Sequence, residues 1–114
     1  MFWDHYRLIE QGTKVNLDEF LSNEELKKKV KKGIKGLYTD VMALVERCVN
    51  KKGEEAIWEL AKLKIISPNI VQELIDVIEL VNKIDEIDDS IIYSMLVRIM
   101  EDLEELYISI SSRC

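Results

Sequence analysis

One proline and four glycines in 114 residues leave this chain short of turn chemistry. That scarcity excludes a many-stranded sheet or sandwich, which needs a breaker at the end of each short strand. Cysteine is nearly as scarce: Cys48 and Cys114 make no disulfide framework, and neither sits in a Cys-x-x-Cys pair that would point to zinc or redox work. The one histidine, His5, has no polar partner at helical spacing, so it is expected to be an ordinary edge residue, neither a metal ligand nor a member of a catalytic pair. No apolar run approaches the roughly 20 residues that cross a bilayer, and the start Met-Phe-Trp-Asp-His-Tyr lacks the basic flank of a signal peptide. A cytoplasmic protein without membrane contact is expected. Positive charge is also in deficit, with a net charge of -6. This argues against non-specific nucleic-acid binding by the protein as a whole, although a local basic patch remains possible.

What is abundant is Leu, Ile, Glu and Lys in helical rhythm, which predicts a single all-α domain over 1–114 with its own apolar core. The stretch 67–84 is the expected central rod. Ser67 can cap it, Pro68 suits its first position, and Ile70, Leu74, Val77, Val81 and Ile84 recur at steps of four and three, widened by Val71, Ile75 and Ile78. Ahead of it, Phe2, Trp3, Tyr6 and Ile9 predict a short first helix stopped by Gly12. Asn16 begins a turn pinned by Leu17, Phe20 and Leu21.

Ser22 with Glu25 reads as a capping box that opens a long helix through Leu26, Val30, Ile34, Leu37, Val41, Leu44 and Cys48 to about Asn50. Inside that helix Gly33 and Gly36 each cost up to ~1 kcal/mol of propensity, which points to a close crossing or a bend. Lys51-Lys52-Gly53 breaks the chain before a short helix over 54–63 that should bury Ile57, Trp58, Leu60 and Ala61. Asp85, Glu86, Asp88 and Asp89 follow the rod. Asp88 or Asp89 can cap the last helix, about 89–111, and capping accounts for these acids with less than a magnesium site would need. That helix carries Ile92, Met95, Leu96, Ile99, Leu103, Leu106 and Ile110 on one side, with Tyr93, Val97, Met100 and Tyr107 outside the stripe.

The long helix also carries a lysine run. Lys27, Lys28, Lys31 and Lys35 are expected to be solvated, and they are the candidate docking face for RNA or an acidic partner. No interleaved aromatics accompany them.

The segments Leu17-Asp-Glu-Phe-Leu-Ser22, Trp58-Glu-Leu-Ala-Lys-Leu-Lys-Ile-Ile-Ser67, Ile87-Asp-Asp-Ser-Ile-Ile-Tyr93 and Leu103-Glu-Glu-Leu106, in this order and spacing, resemble the HepT-like branch of the HEPN superfamily. These are small helical proteins of bacteria and archaea encoded beside minimal nucleotidyltransferases. The resemblance implies a HEPN-like bundle with long central helices, a homodimer, and a place in a toxin and antitoxin pair. Active members are understood as metal-independent ribonucleases that use an Arg-Asn, three residues, His, one residue, Tyr motif. Laid on this chain without a gap, the motif falls on Val77, Ile78, Asn82 and Ile84. Valine has neither charge nor donor, and an asparagine amide does not exchange protons near neutral pH.

The expectation is therefore a non-catalytic interaction protein without a cofactor, metal or catalytic residues, paired with a nucleotidyltransferase-type protein. The competing expectation is a working ribonuclease, or an RNA- or nucleotide-binding component, with His5, Arg47 or Arg98 recruited. A plain helical scaffold is the third. Val77, Ile78, Asn82 and Ile84 are the first candidates for the dimer seam, and Tyr93, Val97 and Met100 the next.

Overall fold

The computed structural model describes residues 2–114 and is helical throughout, with no strand among them. Six α-helices follow in order: α1 (Phe2–Thr13), α2 (Leu17–Ser22), α3 (Glu24–Val49), α4 (Gly53–Lys62), α5 (Val71–Asn82) and α6 (Asp89–Arg113). Single 3₁₀ turns, Pro68–Ile70 and Ile84–Glu86, flank α5. The molecule measures 44 × 23 × 19 Å. At 1.5 Å per residue α3 is about 39 Å long, so it runs nearly the whole length.

Short polar side chains set the boundaries. Asn16 accepts from the Glu19 N–H at 2.8 Å and Asn23 from the Leu26 N–H at 3.0 Å, each supplying an acceptor that the first helical turn lacks. The capping box expected at Ser22 is therefore displaced by one residue. Ser22 closes α2 by donating to the Glu19 carbonyl at 3.2 Å, and Asn23 ends one helix and starts the next. Asn50 stops α3 in the left-handed conformation, φ 55°, a geometry that asparagine tolerates. Asp88 caps α6 through the Ser90 N–H at 3.0 Å.

The central rod is α3, not the stretch 67–84. α3 packs on α1, α2, α4, α5 and α6, whereas the α-helical part of 67–84 is only 12 residues long. Ser67 and Pro68 open a 3₁₀ turn, with Ser67 accepting from Asn69 N–H, and the α-helix starts at Val71. The core runs along α3 through Val30, Ile34, Leu37, Val41 and Val45, and meets Leu96, Ile99, Leu103 and Leu106 of α6 and Ile57 and Leu60 of α4.

Gly12 does not stop α1. It lies inside the helix, where a Cβ would come within 2.8 Å of Val30 and 2.9 Å of Leu96, so it permits close packing. The glycines of α3 do mark a close crossing, as their cost in propensity predicted. A Cβ on Gly33 would stand 2.8 Å from the His5 carbonyl oxygen and from Leu8 Cβ, and one on Gly36 would overlap the His5 ring. Near the same end of α1, Phe2 stacks on Tyr107 of α6 with ring centroids 4.1 Å apart.

Three further expectations fail. Trp58 is 56% exposed, because it falls on the outer side of α4 while Ala56, Ile57 and Leu60 face inward. Leu17 and Leu21 are exposed, and Phe20 alone anchors α2. The two cysteines are bonded: helix ends 66 residues apart in sequence bring Cys48 and Cys114 to a Cα separation of 5.8 Å, within disulfide reach. This bond ties the end of α3 to the end of α6. Such bonds persist chiefly in oxidising compartments, which bears against the cytoplasmic setting expected. Among the described residues no helix is long and apolar enough to cross a membrane.

Candidate anion-binding groove

The α1/α3 crossing builds a concavity lined mainly by charged side chains. Because Gly36 has no side chain, the His5 ring can lie directly against α3, and its Nδ1 meets Asp40 Oδ2 at 2.7 Å. Both groups are partly exposed, His5 at 26% and Asp40 at 32%. The aspartate acts as acceptor for the Nδ1 proton, while the Cδ2–Nε2 side of the ring lies over Gly36. The expectation that His5 is an unpartnered edge residue is thus corrected: its partner is 35 positions away on another helix, where spacing within one helix cannot reveal it.

From this pair an open groove of ≈ 630 Å³ extends along α3. Lys28, Lys32, Lys35 and Thr39 recur at steps of four, three and four and so share one face, with Lys31 beside them and Asp85 on the opposite lip. Lys35 reaches Asp85 at 3.0 Å, and Lys31 reaches Asp89 at 2.9 Å. Hydrogen bonding to Lys31 is the largest cause holding the Asp89 carboxyl below the usual range, followed by the opposing effect of burial and then by the charge of Lys31. Thr39 donates its hydroxyl back to the Lys35 carbonyl at 2.9 Å, so it supplies no activated nucleophile. Lys28 and Lys32 have no partner among the described residues.

The expected docking set therefore divides. Lys27 is not solvated; its side chain is 11% exposed, and it bridges Glu24 at 2.7 Å and Asp89 at 3.4 Å. Lys31 and Lys35 line the groove while pinned to acids, and Lys28 stands free. Lys32, Gly36, Thr39, Asp40 and Asp85 belong to the site but were not singled out as ligands. Gly36 and Asp40, one turn apart on the lysine helix, are the signal that bore on it.

Three of the four acids after α5 are committed to protein contacts. Asp88 caps α6, while Asp85 and Asp89 answer lysines. Among the described residues no group of three or more His, Cys, Asp or Glu is placed to hold a metal ion.

The motif-matching positions converge on no cleft. Val77 is 1% exposed, Ile78 5% and Ile84 2%, so within the single chain they are core residues. Met100 is likewise buried, Tyr93 is half-buried and donates its hydroxyl to the Val15 carbonyl, and only Asn82 and Val97 of the proposed interface are exposed.

Between α5 and α6 the one ionisable cluster is Asp102 with Glu73 and Arg98. Burial pushes the Asp102 carboxyl up to about 7, helped by the neighbouring Glu73 charge, while Arg98 pulls the other way. Arg98 itself pairs with Glu73 at 3.2 Å. As two carboxylates neither acid can donate, which leaves Asp102 Oδ2 buried without a partner; a proton on Asp102 supplies the bond to Glu73.

No protein-family model matches the chain, and neither a curated protein nor a solved structure was found to be similar to it.

Proposed function

We propose that the chain is a non-catalytic binding module of the HepT-like type, which takes RNA phosphates in the α1/α3 groove without cutting the strand. Its HEPN-like bundle works as a dimer beside a nucleotidyltransferase-type protein in a toxin and antitoxin pair, as the sequence resemblance implies. The observation that carries the phosphate-binding part is the pair of unpartnered cations, Lys28 and Lys32, lining one open groove with His5. Lysine ammonium groups act as point charges on phosphate oxygens, and exposed ones attract RNA despite the acidic balance of the whole chain. Absence of cleavage is supported by the apolar burial of Val77, Ile78 and Ile84, which leaves the motif region without a donor or a proton-transfer group.

The test is fluorescence anisotropy of a short labelled RNA, with the same samples run on a denaturing gel. Saturable binding that weakens with salt, on RNA that stays intact, is the expected outcome.

A second reading rests on the 2.7 Å His5–Asp40 contact, since a carboxylate-oriented imidazole beside lysines is also the composition of a general base with a phosphate clamp. Under that reading RNA is cut, and His5→Ala abolishes cutting while leaving binding largely intact. Dimerisation is measured separately, by sedimentation at micromolar concentration.

A further inference from the structure

At the opposite end of α3 lies a cleft of ≈ 500 Å³ unrelated to the lysine groove. Its walls are aliphatic: Leu44 from α3, Leu63 and Ile65 from the turn after α4, and Ile110 from α6. Two arginines, Arg47 and Arg113, complete the lining, and neither carries an ion pair among the described residues. The disulfide explains their placement. Arg47 precedes Cys48 and Arg113 precedes Cys114, so the bond that ties α3 to α6 also brings the two guanidinium groups to one cavity.

A hollow with aliphatic walls and two unanswered cations is complementary to a small molecule with an aliphatic body and an anionic head. Among the described residues no aromatic side chain lines the cleft, so a nucleobase would meet aliphatic walls and no ring. Leu63, 52% exposed, would be covered by such a body. From these contacts we infer that the α3/α6 cleft binds an acyl carboxylate, its chain against Leu44, Leu63, Ile65 and Ile110 and its head between Arg47 and Arg113. A planar carboxylate suits the guanidinium fork, and even a terminal carboxylate on Cys114 leaves the two arginines in excess. This site stands whether or not the lysine groove binds RNA.

Decanoate below its micellar concentration is the probe, titrated into the disulfide-bonded protein by calorimetry. Decanol supplies the body without the charge, and inorganic phosphate a charge without the body. Decanoate should bind at one saturable site, with decanol at least about tenfold weaker and phosphate not detectable. The double variant Arg47→Ala/Arg113→Ala, at two exposed positions, should lose at least about tenfold, and Leu63→Asp a similar amount, with far-UV circular dichroism unchanged. Cys48→Ser/Cys114→Ser should weaken binding by separating the arginines. Lys28→Ala/Lys32→Ala should leave it untouched. Absence of saturable decanoate binding, equal affinity for decanol, or full affinity in the arginine variant overturns the assignment. Should the arginine variant unfold, full affinity in Leu63→Asp overturns it equally.

Discussion

The α1/α3 crossing and the α5/α6 contact are both helix packings of one small bundle, yet they are opposite in kind. The first is held close by glycine, so backbone meets backbone at Gly33 and a polar ring fits over Gly36, and its outer edge opens into a lysine-lined groove. The second is filled by branched aliphatic side chains, Val77 and Ile78 of α5 and Leu103 of α6 lying in one common core, and it holds the Asp102, Glu73 and Arg98 cluster. Where small residues bring helices together, side chains at the margin are left unburied and can serve a ligand. Where large apolar residues fill the contact, stability is gained and no site remains.

The sharpest way to break this contrast is a charge in the filled contact. Val77→Asp should cost at least about 4 kcal/mol and unfold much of the protein at room temperature, because an unpaired carboxylate would be buried. Denaturant unfolding gives the number, and a folded variant losing less than about 1 kcal/mol would show that this face is open.

Next in size, Gly33→Val tests whether backbone contact holds α1 on α3. A branched side chain where even a Cβ meets the His5 carbonyl at 2.8 Å should cost about 2–3 kcal/mol. It should also separate His5 from Asp40, seen as a shift of the imidazole resonances.

A smaller effect sharpens the polar exception in the filled contact. The Asp102 pKa is raised in the folded state, to about 7, so the folded protein holds this proton more tightly than the unfolded chain. Its contribution is fully present below the ordinary carboxylate range near 3.8 and is lost as pH rises toward 7. Asp102→Asn, which cannot ionise, should therefore gain on the parent as pH rises from about 4 to about 7 and hold that gain above it, by about 1 kcal/mol after allowance for solvent screening at a partly exposed site. Equal pH profiles for the two proteins would remove the shared proton.

The smallest effect on stability belongs to the groove. Lys28→Glu/Lys32→Glu should change unfolding free energy by less than about 1 kcal/mol, since neither lysine has a partner to lose.

How far the sequence foretold this contrast depends on whether the signal was local. The long helix from the low twenties to Asn50, a cap at Asp88 or Asp89 and a close crossing or bend at Gly33 and Gly36 follow from capping chemistry and glycine cost, which act within a few residues, and the structure selects Asp88 and the crossing. The shift of a cap from Ser22 to Asn23 does not, because both side chains are competent acceptors and only the geometry of α2 decides between them. Trp58 was assigned to the core on helical spacing from Ala61, but a short helix packed through Ala56, Ile57 and Leu60 has no second apolar face to bury. The Cys48–Cys114 bond and the His5–Asp40 pair were illegible for a shared reason. Each joins residues on different helices, and sequence periodicity carries no information about which helix ends meet. The lysine run was visible as charge. Which lysines are free depended on acids 50 or more positions away, Asp85 facing Lys35 and Asp89 facing Lys31 and Lys27.

The central claim, that the opened crossing binds phosphate while the filled contact only stabilises, is tested most directly by anisotropy of a short labelled RNA. The parent and Lys28→Ala/Lys32→Ala are compared at ~50 and ~200 mM salt. The account predicts intact RNA throughout, binding by the parent that weakens several-fold at the higher salt, and a loss of at least about tenfold in the variant with its salt dependence flattened. Equal binding by the two proteins, or RNA cut by the parent and spared by His5→Ala, would contradict it.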